Sequence, residues 1–162
     1  MDITGTQTIA APRHTVWDAL NTPATLQACI PGCESLTANG ENEYALVMVA
    51  AVGPVKAKFK AKLTLSDVVA GASYTMTFDG SGGAAGFGKG QARVTLSDAQ
   101  DDNTQLDYTA QVQVGGKIAQ VGARLIDGVA KKLSEAFFKN FKAKVETVEL
   151  EDAEDSAAEH AS

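Results

Sequence analysis

Residues 55–65, VKAKFKAKLTL, alternate without a slip: Val55, Ala57, Phe59, Ala61, Leu63 and Leu65 fall on one side, Lys56, Lys58, Lys60 and Lys62 on the other. A period of two with one dry and one wet face predicts a strand in an antiparallel sheet covered on one side only. Weaker versions of the pattern recur. Tyr44, Leu46, Met48 and Ala50 form one set; Tyr74, Met76 and Phe78 another; Ala92, Val94 and Leu96 a third; Leu106, Tyr108, Ala110, Val112 and Val114 the last. The turn-rich segments TANGEN, GP, DVVAGA, GSGGAAGFGKG and SDAQDDN separate them. Ahead of these strands, residues 2–11 read as a first strand with Ile3 and Ile9 on one side. Pro12 suits the first turn of a short helix, PRHTVWDAL, with Val16, Trp17 and Leu20 facing in. Thr22-Pro23 starts a second short helix that runs through Cys29 and ends in the turn Ile30-Pro31-Gly32.

The period changes at Gly115. From there to Lys144, Ile118, Val121, Gly122, Leu125, Val129, Leu133, Ala136 and Phe137 recur at spacings of three and four, with Arg124, Asp127, Lys131, Glu135 and Lys139 opposite. A helix of about 45 Å is predicted, at about 1.5 Å per residue. The order is strand, two short helices, about six antiparallel strands, one long helix. That order fits an α+β domain in which a curved antiparallel sheet wraps around one long C-terminal helix, each burying the other's apolar face. Sparse aromatics cannot easily fill the space between them, so a cavity is expected. Leu125, Val129 and Leu133 would roof it, over a floor of Phe59, Leu63, Met76, Phe78, Tyr108 and Val112.

Charge alters the picture at one end. The net charge of −6 is uneven: seven of the 20 acids lie beyond Lys144, leaving 13 against 14 Lys plus Arg before it. Residues 1–145 are read as the folded domain and 146–162 as an acidic, disordered tail. No basic patch interleaves with stacking aromatics, so a nucleic-acid binder is not indicated. The N-terminus carries Asp2 and no basic leader before an apolar run, and the longest apolar run, Ala45–Val52, is far short of the ~20 residues that span a bilayer. A cytoplasmic protein is expected.

Candidate chemistry is thin. Cys29 and Cys33 have too few partners for a zinc site, since the only histidines are His14 and His160; two small buried thiols are expected, and no metal or covalent cofactor. The glycine-rich run lacks the Lys-Ser/Thr of a phosphate loop; it reads as a bend in a curved sheet, or as a flap at a cavity mouth with Phe87 at its tip. The lysine comb at 56–62 reads as a solvated strand face. Phe138, Phe141 and Lys142, among the rings and lysines ending the long helix, are candidates for membrane contact; the other reading is that Phe138 packs on the short helices. No catalytic constellation is evident.

Four motifs, CIPGCESL at 29–36, VGPVKAKFKAKLTL at 52–65, GSGGAAGFGKGQARVTL at 80–96 and GGKIAQVGARLIDGVAKKLSEAFFKNF at 115–141, resemble the carbon monoxide dehydrogenase G-subunit family of the START-like (SRPBCC) superfamily, over roughly residues 2–145. The resemblance implies a helix-grip fold and a non-enzymatic accessory role beside an aerobic, molybdenum-containing CO dehydrogenase-type oxidoreductase. It implies a hydrophobic molecule in the cavity, a respiratory quinone such as menaquinone or ubiquinone, and recruitment of the enzyme to the inner face of the cell membrane. Tyr44, Tyr74 and Tyr108 are the inward groups able to hydrogen-bond a quinone carbonyl. Many relatives carry a C-terminal membrane tether, whereas ELEDAEDSAAEHAS has no apolar anchor. Two alternatives remain: a recruitment or assembly adaptor without ligand, and a cavity enzyme of the cyclase or hydrolase type.

Overall fold

The computed structural model describes residues 1–161, with side chains through Val148. The chain forms β1 (Asp2–Ile9), α1 (Arg13–Leu20), α2 (Pro23–Cys29), β2 (Cys33–Ala38), β3 (Glu43–Val52), β4 (Val55–Val69), β5 (Ser73–Ser81), β6 (Phe87–Asp98), β7 (Thr104–Gly115) and α3 (Ala123–Ala161). The strands make one seven-stranded antiparallel sheet in the order β1-β7-β6-β5-β4-β3-β2. Strands β2 to β7 follow one another as a meander. β1 returns to pair with β7, from Asp2↔Gln111 to Ile9↔Thr104, and α1 and α2 carry the chain from that edge to the other. The α+β helix-grip expectation holds.

β4 keeps the predicted alternation, with its lysines exposed and Phe59, Ala61, Leu63 and Leu65 turned inward. Two of the lysines are tied down, Lys58 to Glu34 at 3.0 Å and Lys62 to Glu43 at 2.6 Å. Pro23 occupies the first turn of α2, where a missing N–H costs nothing.

The long helix differs from the pattern read off the sequence at its start. Residues 115–122 are not its first turns: β7 runs to Gly115, a short 3-10 turn covers Lys117–Val121, and α3 begins at Ala123. Gly116 (φ +80°) and Gly122 (φ +99°) adopt backbone conformations that other residues rarely take, and they bracket the turn. Ile118 and Val121 therefore lie on a connector.

This shifts the phase of the buried stripe. The side chains of α3 that are fully enclosed are Phe138, Phe141 and Val145, at 9%, 0% and 1% exposure. Stepping back from Phe141 by threes and fours reaches Phe137, Leu133, Ala130 and Ile126, all half-buried, whereas Leu125 and Gly128 are exposed. The three buried residues close a core with Ile9, Ala11, Val16, Leu20, Cys29, Leu65, Tyr74, Leu96 and Leu106. A second, smaller cluster holds Leu36, Leu46 and Leu63.

The segment 146–162, expected as a tail, begins on α3: Glu146 accepts a hydrogen bond from the Ala10 backbone N–H at 3.1 Å. Side chains from residue 149 onward, and Ser162 altogether, lie outside the described residues, and with them most of that expectation.

Candidate functional site

Only the far half of α3 is packed shut. Among the described residues, no side chain of α3 before Phe138 is buried, and the inner face of the sheet beneath that half is also open to solvent. Ala57 and Phe59 on β4, Met76 and Phe78 on β5, Ala92 on β6, and Ala110, Val112 and Val114 on β7 are all half-buried. A helix fully seated on a sheet would enclose such positions. These half-buried apolar positions, on the sheet and on the first half of α3, mark a candidate apolar site lying between the α1–α2 core and the turns before α3.

The expected floor residues come together with one exception. Phe59, Met76, Phe78 and Val112 keep accessible apolar surface on the inner face. Leu63 does not: at 9% exposure it is packed into the small cluster with Leu36 and Leu46. Tyr108 sits where the candidate site meets the core. Its ring stacks on Phe138 at 4.9 Å, and its phenol lies across Gly5, where any side chain would collide with it. Of the expected roof, Leu133 and Val129 are half-buried, while Leu125 is 40% exposed and leans on the β3–β4 hairpin at Gly53. Ile126 and Ala130 were missed because the helix phase was taken partly from residues that precede the helix, whereas Phe137 lay on the predicted stripe without being named in the roof. A hollow of about 390 Å³ follows Val121, Leu125, Gly128 and Val129, with Arg124 and Lys132 at its rim.

Phe138 and Phe141, expected to touch a membrane, are core residues instead. Phe137 makes an edge contact with Phe138 at 5.1 Å and stacks on Phe141 at 5.6 Å. Two long apolar rings beside lysines satisfied both readings in the sequence; burial against α1, α2 and β1 decides between them. Lys142 is half-buried on the same stretch of helix.

Polar groups facing inward are few. Burial, and then neighbouring Tyr44, raise the Tyr74 phenol well above its ordinary value, and the ring meets Trp17 edge-on at 5.7 Å. Tyr108 is raised by burial and then by Glu135. Both phenols keep their protons at neutral pH and can donate a hydrogen bond. Gln7, half-buried on the inward side of β1, and Ser134 on α3 join them and were not singled out from sequence. Burial also raises both thiols, Cys29 and Cys33, and among the described residues no three His, Cys, Asp or Glu side chains gather as a metal site.

A larger hollow, about 510 Å³, is lined by Asp2, Thr77, Asp79, Lys89, Gln91 and Gln111 together with Phe78 and Val112 of the inward apolar set. Its charged lining sets it apart from the wholly apolar positions shared by the sheet and α3, which are the better candidate for a hydrophobic molecule.

The glycine-rich turn after β5 folds against the connector before α3. Phe59 lies on Gly82, Phe87 lies on Gly115, and the backbones of Gly86 and Gly116 meet directly. Among the described residues no helix is long and apolar enough to cross a membrane.

The family model for the carbon monoxide dehydrogenase G-subunit (CoxG) matches residues 5–146. A conserved protein from Geobacillus kaustophilus is similar in structure, with 33% identity and a TM-score of 0.85 over 91% of this chain and 96% of that one. A START superfamily protein from Mycobacterium smegmatis shares the fold at 14% identity and a TM-score of 0.71, over 91% of this chain and 98% of that one. So does the Zhui aromatase/cyclase from Streptomyces sp. R1128, at 14% identity and 0.67, over 90% and 93%. Comparison with curated proteins gives no match.

Proposed function

Since the chain belongs to the CoxG family, that of the carbon monoxide dehydrogenase G-subunit, we propose that it is a non-enzymatic accessory protein that holds a hydrophobic small molecule in the inner apolar site. The cargo in this reading is a respiratory quinone, menaquinone or ubiquinone, and the protein links a molybdenum CO dehydrogenase-type oxidoreductase to the membrane. The observation that carries the reading is the incompletely buried apolar surface on both layers, Phe59, Met76, Phe78 and Val112 of the sheet and Ile126, Ala130, Leu133 and Phe137 of α3, with tyrosines as the neutral polar groups. Such a lining favours a long apolar molecule with one or two hydrogen-bond acceptors. Among the described residues, this lining holds no inward acid–base pair of the kind turnover by a cyclase or hydrolase would use.

Titration of the purified chain with a water-dispersed quinone tests this. We expect saturable uptake, and loss of it in Phe78→Glu, because a carboxylate in the site must be desolvated or displace the ligand. Near-ultraviolet circular dichroism checks that the variant is folded. Wild-type uptake by a folded Phe78→Glu would remove the ligand from this site. Absence of any uptake would favour the ligand-free adaptor.

A further inference from the structure

The two edges of the sheet are finished differently. At the β2 edge the side chain of Gln27, on α2, bonds the strand as a further strand would. Its amide N–H donates to the Glu34 carbonyl at 3.0 Å, and its carbonyl accepts the Leu36 N–H at 3.3 Å. β2 is also short, at six residues, and its register shifts between Cys33 and Ser35. A short strand, a bulge and a covering element are the usual protections of a sheet edge.

β1, at the other edge, lacks them from Asp2 to Thr8. Met1 and Val112 exchange both backbone hydrogen bonds, at 3.1 and 2.8 Å. In an antiparallel ladder such pairs alternate with pairs that exchange none. Ile3, Gly5, Gln7 and Ile9 therefore bond β7, while Asp2, Thr4, Thr6 and Thr8 aim their N–H and C=O groups away from it. Ala10 is next in this outward set, and its N–H is taken by Glu146 of α3 at 3.1 Å. There the helix closes the edge. Among the described residues no hydrogen bond reaches the backbone groups of the four residues before it. The strand holds no proline and no lysine, its register with β7 is unbroken, and its one charge is Asp2.

We propose that β1 pairs with β1 of a second copy of this chain, antiparallel about a two-fold axis at Gly5. In that register Gly5 faces the partner's Gly5, Thr4 the partner's Thr6, and Asp2 the partner's Thr8. Every outward position on both strands is used, and the pairing stops where Glu146 closes the edge. A register two residues along would set Asp2 against the partner's Ala10, whose N–H is already taken; two residues back would leave Thr8 outside the paired stretch. Gly5 puts no side chain at the axis, where the strands come closest, and the Tyr108 phenol fills the space a side chain there would need. Threonines opposite one another are favourable cross-strand neighbours. The two Asp2 carboxylates end about 20 Å apart, at about 3.4 Å per residue. A foreign strand would draw its specificity from pockets for alternate side chains, whereas the alternate side chains here are the exposed hydroxyls of Thr4, Thr6 and Thr8. With the β2 edge capped, association closes at two copies. The axis stands perpendicular to the sheet, so both inner faces lie on one side of a continuous sheet. The pairing is independent of any cargo.

Sedimentation velocity of the full chain over a concentration series, with amide hydrogen exchange followed by NMR at both ends of the series, tests this. We expect a reversible monomer–dimer equilibrium without larger species, since an interface of strand edges is small. As dimer forms, exchange at the Thr4, Thr6 and Thr8 amides should slow on the order of tenfold or more, while the Ile3, Gly5 and Gln7 amides stay protected throughout. Thr6→Pro removes an N–H that β7 does not use, so it should keep a native circular dichroism spectrum and remain monomeric. Thr4→Pro makes the same test at a second position, and the exchange pattern of the unaltered chain needs neither variant. A dimer that survives in a folded proline variant would overturn the proposal. So would a dimer whose threonine amides exchange as fast as in the monomer, open-ended growth into larger species, or a monomer at every concentration.

Discussion

Phe138 and Phe141 carry the anchoring of α3. Phe141 has no exposed surface and lies within the cluster built from Ile9, Val16, Leu20 and Leu106. Phe141→Ala should therefore cost roughly 3–5 kcal/mol, the usual penalty for emptying an aromatic site in a closed core. Leu125→Ala, on an exposed flank, should cost under about 1 kcal/mol. Urea unfolding of both variants checks the asymmetry; equal losses would mean that the first turns of α3 are as tightly packed as the last. At this scale the sequence was legible where alternation was strict. Every inward side chain of β4 is where period two put it, Leu63 included, but periodicity reports a face and not whether that face meets core or cavity. It also left Phe138 open to two readings and assigned Phe141 to membrane contact, since a ring beside lysines looks the same whether it enters a core or an interface.

Among the elements, the strands and short helices follow their patterns, and the junction between β7 and α3 does not. An apolar spacing of three and four continues from Ile118 into the helix, and nothing in that spacing reveals the two left-handed glycines that interrupt it. Reading the phase from this stretch rotated the expected roof toward Leu125 and away from Ile126 and Ala130. The two glycines should respond differently to substitution. Gly116→Ala forces a Cβ to within 2.7 Å of the Gly86 Cα at a φ of +80°, so strain and collision combine. A loss of roughly 2–3 kcal/mol is expected. Gly122→Ala meets open space and should cost only about 1 kcal/mol, from the backbone conformation alone. Equal costs in denaturant titrations would show that the turn after β5 does not rest on the connector. Of the two readings of the glycine-rich run, bend or flap, the turn's contacts with glycine backbones and the rings of Phe59 and Phe87 favour a packed bend.

For the whole molecule, the fold distributes packing unevenly along one helix. The α1–α2 end is closed by a continuous core, whereas the other end leaves apolar surface on both layers incompletely buried. Element order and four sequence motifs made the architecture and family readable in advance. The position of the candidate site within it depended on where the long helix begins. Stability comes from one end, and the apolar guest proposed above would be held at the other. The most direct test is solvent extraction of the protein purified without detergent, followed by mass spectrometry and an ultraviolet spectrum of the extract. The account predicts an apolar molecule of the quinone class in near-stoichiometric amount, or uptake of added quinone by protein that arrives empty. An empty extract together with no uptake of added quinone would contradict it.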